Sequence, residues 1–526
     1  MLKINIVQFI FKLKSFLPLG LPMLTCLLLI AGPNRLFGEQ RVTRIDPPSP
    51  ESLKNRTDWF GSYFQGNKCG WARVTRAKVT NNNKEYFVFE LESMQKIASM
   101  GQAYDDHIFM HQHFMAEPPY FLVNGECRIK QGDSAIRIQL KKDGDEVTAV
   151  IDDGVEKREI IIPDLDFSFL DHLTVEDWIQ SDPAVGERLN VRHFSFQDLK
   201  NSIETYQIIF SGEKEIQGKH QKVLEASWES SIHGDIGQIT FNPEGRALLI
   251  RQGEMFEMRL EDEERAKKAE SRADFFVEGT VAIDQKLGAL PDVIASLVLD
   301  VTGEVASDFA SGPGMSVEWD DQSKKCRLTT GYHQTPMVKA TPEDIKDNIE
   351  ETLKYPIHDK EVQALARQAI GNAKDEEDKV WEIMAFIDRF LGKNASPQIM
   401  TVKETIREKK GDCSERAALL VTLSRANGIP TREVHGLMYT SDLFKSFAGH
   451  SWCEVVLDGI WIPVDPTWRQ IPIDGTHIRF ESGDKGRTLL VKMMGGLTFH
   501  LVEVELVEPS GADDPVHDKA KKPQRP

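Results

Sequence analysis

Asp458-Gly459 constrains this chain more than any other pair of residues, because it sits between two β-rich runs at 450–457 and 460–464. An Asp-Gly pair in that position is a two-residue hairpin turn, and such a turn fixes strand register. Leu457 then faces Ile460, Val455 faces Ile462, Cys453 faces Val464 and Trp452 faces Asp465. One face is Cys453, Val455, Leu457, Ile460, Ile462 and Val464, uniformly apolar and expected to be the core side. The other carries His450, Trp452, Glu454 and Asp465, with Glu454 read as a surface charge. His450 and Asp465 are diagonal neighbours there, roughly 7–8 Å apart at the backbone and within side-chain reach. A carboxylate beside an imidazole fixes its tautomer and supports its protonated form.

Upstream, Gly411-Asp412-Cys413-Ser414-Glu415-Arg416 leads into an apolar helix. Ala417, Leu420, Val421 and Ser424 fall at helical spacing, and Leu419 and Leu423 widen the stripe. Gly428 and Pro430 mark its end. Cys413 therefore lies at the first turn, where unpaired N–H groups and the helix dipole favour a thiolate. Asp412 and Glu415 pull the other way, so the sulfur needs a second activating group.

The segments GDCSERAALLVTLSRANGIPTREVHGLMY and GHSWCEVVLDGIWIPVDPTW resemble the core of the transglutaminase-like superfamily, bacterial exported type, whose fold is papain-like. The resemblance covers roughly a third of the chain, about one domain's worth. It implies Cys413 as nucleophile, His450 as general base and acid, and Asp465 as the group that orients His450. It implies an enzyme acting on amide bonds through a thioester, resolved by water in a protease or amidase or by an amine in a crosslinking acyltransferase. No metal or other cofactor is expected. The alternative is a non-catalytic envelope binding or scaffold protein with an inert copy of the domain. Oxyanion donors are expected from the backbone N–H of Cys413 or Ser414 and from Gln398 in the preceding loop. Trp452, Trp468 and Tyr439 are candidates for bordering a substrate cleft. His435 and His477 receive no role.

A chain of 526 residues holds two to four domains. Its net charge of −18 argues against nucleic acid as a partner. The expected partner is a peptide, protein or cell-wall amide. Lys3, Lys12 and Lys14 precede an uncharged apolar run at 16–32. Residues 1–38 are therefore expected to be a signal peptide or an uncleaved N-terminal anchor, which places the protein in the periplasm or outside the cell. Six cysteines are too few for a disulfide-built scaffold of this length.

The expected fold is α+β, a papain-like transglutaminase core at the C-terminal end behind a large antiparallel β-rich domain. Residues 39–58 read as a linker, 59–260 as the β-rich domain, 261–274 as a charged linker and 275–340 as a small β-rich bridging module. Residues 341–508 read as the catalytic domain and 509–526 as a disordered tail. In the bridging part, 297–301 and 326–330 read as strands, and 489–492 and 498–507 as closing strands. Thr341 is expected to cap a helix that buries Ile345, Ile349 and Leu353. Asp359 caps a second helix and 375–391 forms a third. His107, His111 and His113 share one strand face, interrupted by Phe109. A mixed solvated face is the expectation there, rather than a metal site.

Overall fold

The computed structural model describes residues 55–507 apart from short internal segments at 100–101, 133, 145, 155–156, 163–164, 166, 197–198, 269–270, 275–279, 288–293, 304–305, 321–324, 393–399, 442–445 and 494–495. The expected export segment, the tail and Gln398 lie outside the described residues. No described helix is long and apolar enough to cross a membrane.

Alternation of apolar and polar residues governs the chain from 56 to 261. In Glu146–Asp152, Val147, Ala149 and Ile151 turn inward while their neighbours do not. Such strands need one covered face, and a single long sheet supplies it. Arg56–Phe64 lies in the middle of that sheet, paired with Asn67–Asn81 on one side and Phe256–Glu261 on the other. Antiparallel strands run outward from Asn67–Asn81 to Lys157–Ile162. The chain then crosses by a short 3-10 turn, Phe169–His172, and a helix, Thr174–Gln180. It resumes at the opposite edge with Arg188–Ser195 and winds back to the centre. Phe169, Val175, Trp178 and Ile179 from the crossing share the apolar core with Phe60, Leu91, Met110 and Ile250 of the sheet. The fold is thus α+β, with a large antiparallel region followed by a helix-rich C-terminal part.

The charged stretch after residue 261 is not a loose linker. The Glu261 side chain is covered and accepts from the Tyr63 hydroxyl at 2.6 Å and from Lys68 Nζ at 2.5 Å. Ala273–Asp274 pairs with the strand Lys84–Ser99. The charges pair mainly along the short helix Glu263–Ala266, Glu263 with Lys267 and Glu264 with Lys268, while Arg272 pairs with Asp105 of the sheet.

The strands of 275–340 do not form a separate module either. Ile294–Thr302 lies between Lys325–Thr330 and the C-terminal strand Thr498–Leu506. Val281–Ala282 pairs with the strand Ser446–Leu457. The Ala340 N–H donates to Gly459 O, and the Trp461 N–H to Val338 O, both at 2.9 Å. Gly475 meets the same sheet so closely that a Cβ on it would lie 2.6 Å from Ser296 Cα. A fragment beginning at Glu343 would leave Thr498–Leu506 with no partner strand. It is expected to be insoluble or to lack cooperative unfolding, whereas one beginning at Thr280 keeps those pairings. Circular dichroism melts of the two fragments check this, and a sharp transition in the shorter one would rule it out.

Among the helices, Asp359 accepts from the N–H groups of Glu361 and Val362 and starts Lys360–Ile370; Asp375 starts Glu376–Leu391. Thr341 and Asp344 form a reciprocal cap, yet that helix stops at Asp347 and Ile345 is exposed. The apolar spacing there does not mark a buried stripe. Residues 489–492, expected as a strand, lie in the helix Gly483–Met493, with Leu490 and Met493 buried one turn apart. A short apolar run does not distinguish strand from helix by itself.

Candidate active site

The helix Cys413–Ala426 forms the centre of the C-terminal part. Its residues from Ala417 to Arg425 are all buried, not only the apolar stripe. Lys360–Ile370, Glu376–Leu391 and Val402–Glu408 surround it, and Cys453, Val455 and Val464 of the hairpin close the same core. Asp412 caps it, accepting from the Ser414 N–H at 3.0 Å, while Glu415 reaches back to the Asp412 N–H at 3.0 Å. Cys413 is therefore the first residue of the helix and is fully buried.

The two flanking carboxyls are both pushed toward their neutral forms. Burial, then repulsion from Glu415, pushes Asp412 well above the usual carboxylate range, and burial raises Glu415 as well. That shift weakens their opposition to a thiolate. Arg416 adds a cation that the sequence reading missed. Burial pulls its guanidinium down, and Asp388, Asp412, Asp465 and Cys413 act against that pull. Its charge thus reaches both Cys413 and Asp465.

The hairpin takes the register set by its turn: Leu457 pairs with Ile460, Val455 with Ile462 and Cys453 with Val464. The apolar face joins the helical core, and the Cys453 thiol points at the Ala417 carbonyl, one turn after Cys413, at 3.4 Å. The face not expected to be the core side is buried too, and Ser446–Leu457 is a central strand with Thr431–Ser441 along its other edge. His450, Trp452, Glu454 and Asp465 are all buried. Glu454 is not a surface charge: Arg432 Nε bonds one of its oxygens at 2.6 Å and Arg479 Nε the other at 2.7 Å.

His450 Nε2 lies 2.8 Å from Asp465 Oδ2. Asp465 Oδ1 accepts from the backbone N–H of Thr467 at 2.6 Å and of Trp468 at 3.3 Å. His477, given no role from the sequence, brings its Nε2 to the same Oδ2 at 3.2 Å. Its Nδ1 is 3.1 Å from Asp474 Oδ1. Burial works to raise Asp465, but the two imidazoles outweigh it and hold the carboxyl well below the usual range. The only sequence hint of this contact is Asp474 three residues before His477, ahead of a short strand.

The other expected site residues fall differently. Trp452 is wholly enclosed, packed with Val434 and Ile473 and 5.2 Å from the His477 ring, so it backs the histidines instead of lining an open cleft. Gly436, opposite His450, makes room for it: a Cβ there would sit 2.6 Å from Trp452 Cη2. Tyr439 is also fully buried, against Phe447. Trp468 is half-buried and presents its N–H to Asp465. The Ser414 N–H is engaged by Asp412, so an oxyanion could take it only by breaking the helix cap.

Among the described residues, His450, Asp465 and His477 are the group whose ligating atoms lie close enough for a metal ion, within 4.8 Å of one another. Those atoms are already satisfied by hydrogen bonds to each other. The histidine row in the first sheet is a mixed ladder. His107 meets Glu92 at 2.9 Å, His111 meets Glu90 at 3.1 Å, and Arg128 lies over Phe109. Cys69, Cys127, Cys326, Cys413 and Cys453 are buried, and no disulfide joins them.

The helix that starts at Cys413 packs beside the hairpin that holds His450 on Asp465. The family profile of the transglutaminase-like superfamily matches residues 363–466, and that segment is a transglutaminase-like domain. No curated protein matches the chain. A solved structure of a candidate cysteine protease from Cytophaga hutchinsonii is 18% identical, with 42% of this chain and 89% of that one covered and a TM-score of 0.26. A candidate protease from Parabacteroides distasonis is 11% identical, with 55% and 69% covered and a TM-score of 0.18.

Proposed function

We propose that the chain is a cysteine-dependent enzyme that cleaves or transfers an amide bond through a thioester. The observation that carries this reading is the 2.8 Å bond from His450 Nε2 to the buried Asp465 carboxylate. With Nε2 occupied, the working nitrogen of His450 is Nδ1, and the carboxylate stabilises the imidazolium that forms when the thiol gives up its proton. In this reading the Cys413 sulfur adds to the amide carbonyl carbon. The carbon–nitrogen bond then breaks as His450 returns the proton to the departing amine. Water or a second amine, deprotonated by His450, attacks the thioester and frees the sulfur. The helix N-terminus, with the Cys413 N–H as its first donor, favours both the thiolate and the oxyanion. Arg416 assists the thiolate.

The substrate class that fits is a peptide, protein or cell-wall amide met after export, in the periplasm or outside the cell. The first test is competitive labelling with iodoacetamide at neutral pH, mapped by mass spectrometry. Cys413 should be modified well ahead of Cys69, Cys127, Cys326 and Cys453. Equal, slow labelling of all five would favour an inert domain. Trapping the acyl group on Cys413 with a peptide ester, with and without a primary amine, separates hydrolysis from transfer.

A further inference from the structure

The site holds one group that the mechanism above does not use. We propose that His477 is a positioning residue that shares the Asp465 carboxylate with His450 and so sets the pH range over which the Cys413 thiol reacts. The proposal rests on the reading of Cys413, His450 and Asp465 just given.

Geometry carries it. Asp465 Oδ2 takes both imidazole Nε2 atoms, at 2.8 Å from His450 and 3.2 Å from His477. Oδ1 takes the two backbone N–H groups of the turn. All four acceptor positions are thus filled, and the carboxylate is not free to turn wholly toward His450. His477 Nδ1 faces Asp474, whose own carboxylate is fixed by the Thr476 N–H at 2.9 Å and by Gln470 Nε2 at 2.7 Å. Both ring nitrogens of His477 face carboxylate oxygens, and Thr476 Oγ1 lies 3.5 Å from Nδ1 as well. The two carboxylates favour hydrogen on both nitrogens, which makes the ring a cation. Burial acts to discharge it, but the bonds to Asp465 and Asp474 prevail and raise its pKa to about 9.

The charged and titratable groups around His477 are few. Asp465 and Asp474 flank it, and the His450 ring lies 5.6 Å away between centroids. On the facing strand its partner is Met438, which does not titrate. From the helix, Arg416 acts on Asp465 and Cys413. A fixed positive charge this close to His450 opposes a second one there, and it divides the negative charge that Asp465 offers. An imidazolium held too firmly by its carboxylate would be a poor acid toward the departing amine. Sharing Asp465 keeps that proton transferable.

The test uses the whole chain. Cys413 alkylation by iodoacetamide is measured from pH 5 to 10 beside amide turnover. His477→Gln should move the alkaline limb of the alkylation profile upward by about one pH unit, since a neighbouring charge at this range shifts a titration by one unit or more. Turnover at pH 7 should fall several-fold further than alkylation does. Asp474→Asn should move the limb the same way by a smaller amount. If both variants lose alkylation and turnover in step, with the limb unmoved, His477 is merely structural and the proposal is overturned. Nitrogen-15 shifts of labelled histidine in the unmutated protein give a variant-free check: His477 should stay doubly protonated from pH 6 to 8, and its deprotonation below pH 7.5 would also overturn the proposal. A different failure, with wild-type Cys413 no more reactive than the other thiols and insensitive to His450→Ala, would remove the catalytic reading itself, and this proposal with it.

Discussion

Cys413→Ala is expected to abolish amide turnover and acyl trapping, because it removes the atom that forms the thioester. His450→Ala should follow closely, since it takes away the proton carrier and the cation that keeps sulfur ionised. Asp465→Asn should retain weak activity, down by roughly two to four orders of magnitude as in other nucleophile–His–Asp systems. The burial of the site changes what is expected for stability. Read from the sequence, all three variants should fold, because the hairpin face that carries His450 and Asp465 is not the core face. In the structure Asp465 is enclosed and accepts four hydrogen bonds. An asparagine there can accept on one oxygen only. It leaves at least one buried donor unpaired, at a cost of about 1–3 kcal/mol. Turnover and thermal melting measured together decide the matter. Wild-type activity in Asp465→Asn, or full activity in His450→Ala, would dismiss these residues from the chemistry.

The largest loss of stability is expected from Glu454→Ala. Glu454 is buried between the Arg432 and Arg479 guanidiniums, and Arg432 in turn lies 3.9 Å over the Trp461 ring. Burial works to raise the Glu454 carboxyl, and the two arginines outweigh it and hold it below its usual range. Its contribution is thus present above the unfolded-state pKa and is lost as pH falls through the lower folded value. Removing the carboxylate takes the shared partner from buried Arg479 and half-buried Arg432, leaving them only the more distant carboxylates of Glu481 and Asp344, at 4.0 and 3.6 Å; breaking a buried pair costs about 3–5 kcal/mol. Glu377, exposed in the first turn of its helix, is the control. Glu377→Ala should change stability by less than about 0.5 kcal/mol. Equal effects in the two variants would mean that Glu454 is solvated after all.

Local rules carried part of this structure. The Asp458-Gly459 turn allows one register, so the pairing of Cys453 with Val464 and the neighbourhood of His450 and Asp465 were legible from a few residues. The cap at Asp359 marked a helix start for the same reason: a side-chain acceptor and an orphan N–H lie within three residues of each other. What escaped was decided by strands far apart in sequence. Nothing in residues 450–457 says that Thr431–Ser441 covers their second edge, so Glu454 read as a surface charge and Trp452 as a cleft wall. Likewise nothing near His477 in the sequence says that its strand pairs with Thr431–Ser441, beside the one that carries His450. The module expected at 275–340 dissolved into the C-terminal part because its partner strand, Thr498–Leu506, comes nearly two hundred residues later.

The order of strands in the large sheet also bears on how the chain can be made. Arg56–Phe64 finds Asn67–Asn81 at once, but its other edge waits for Phe256–Glu261, about 190 residues later. At a synthesis rate of roughly 5–20 residues per second, that edge stays unpaired for on the order of 10–40 s. An open edge flanked by Phe60, Tyr63 and Phe64 is a template for pairing with another nascent copy. Yield in a host should therefore depend on whatever shields this one strand during elongation, and co-expressed holdases should raise it more than lower temperature does after synthesis is complete.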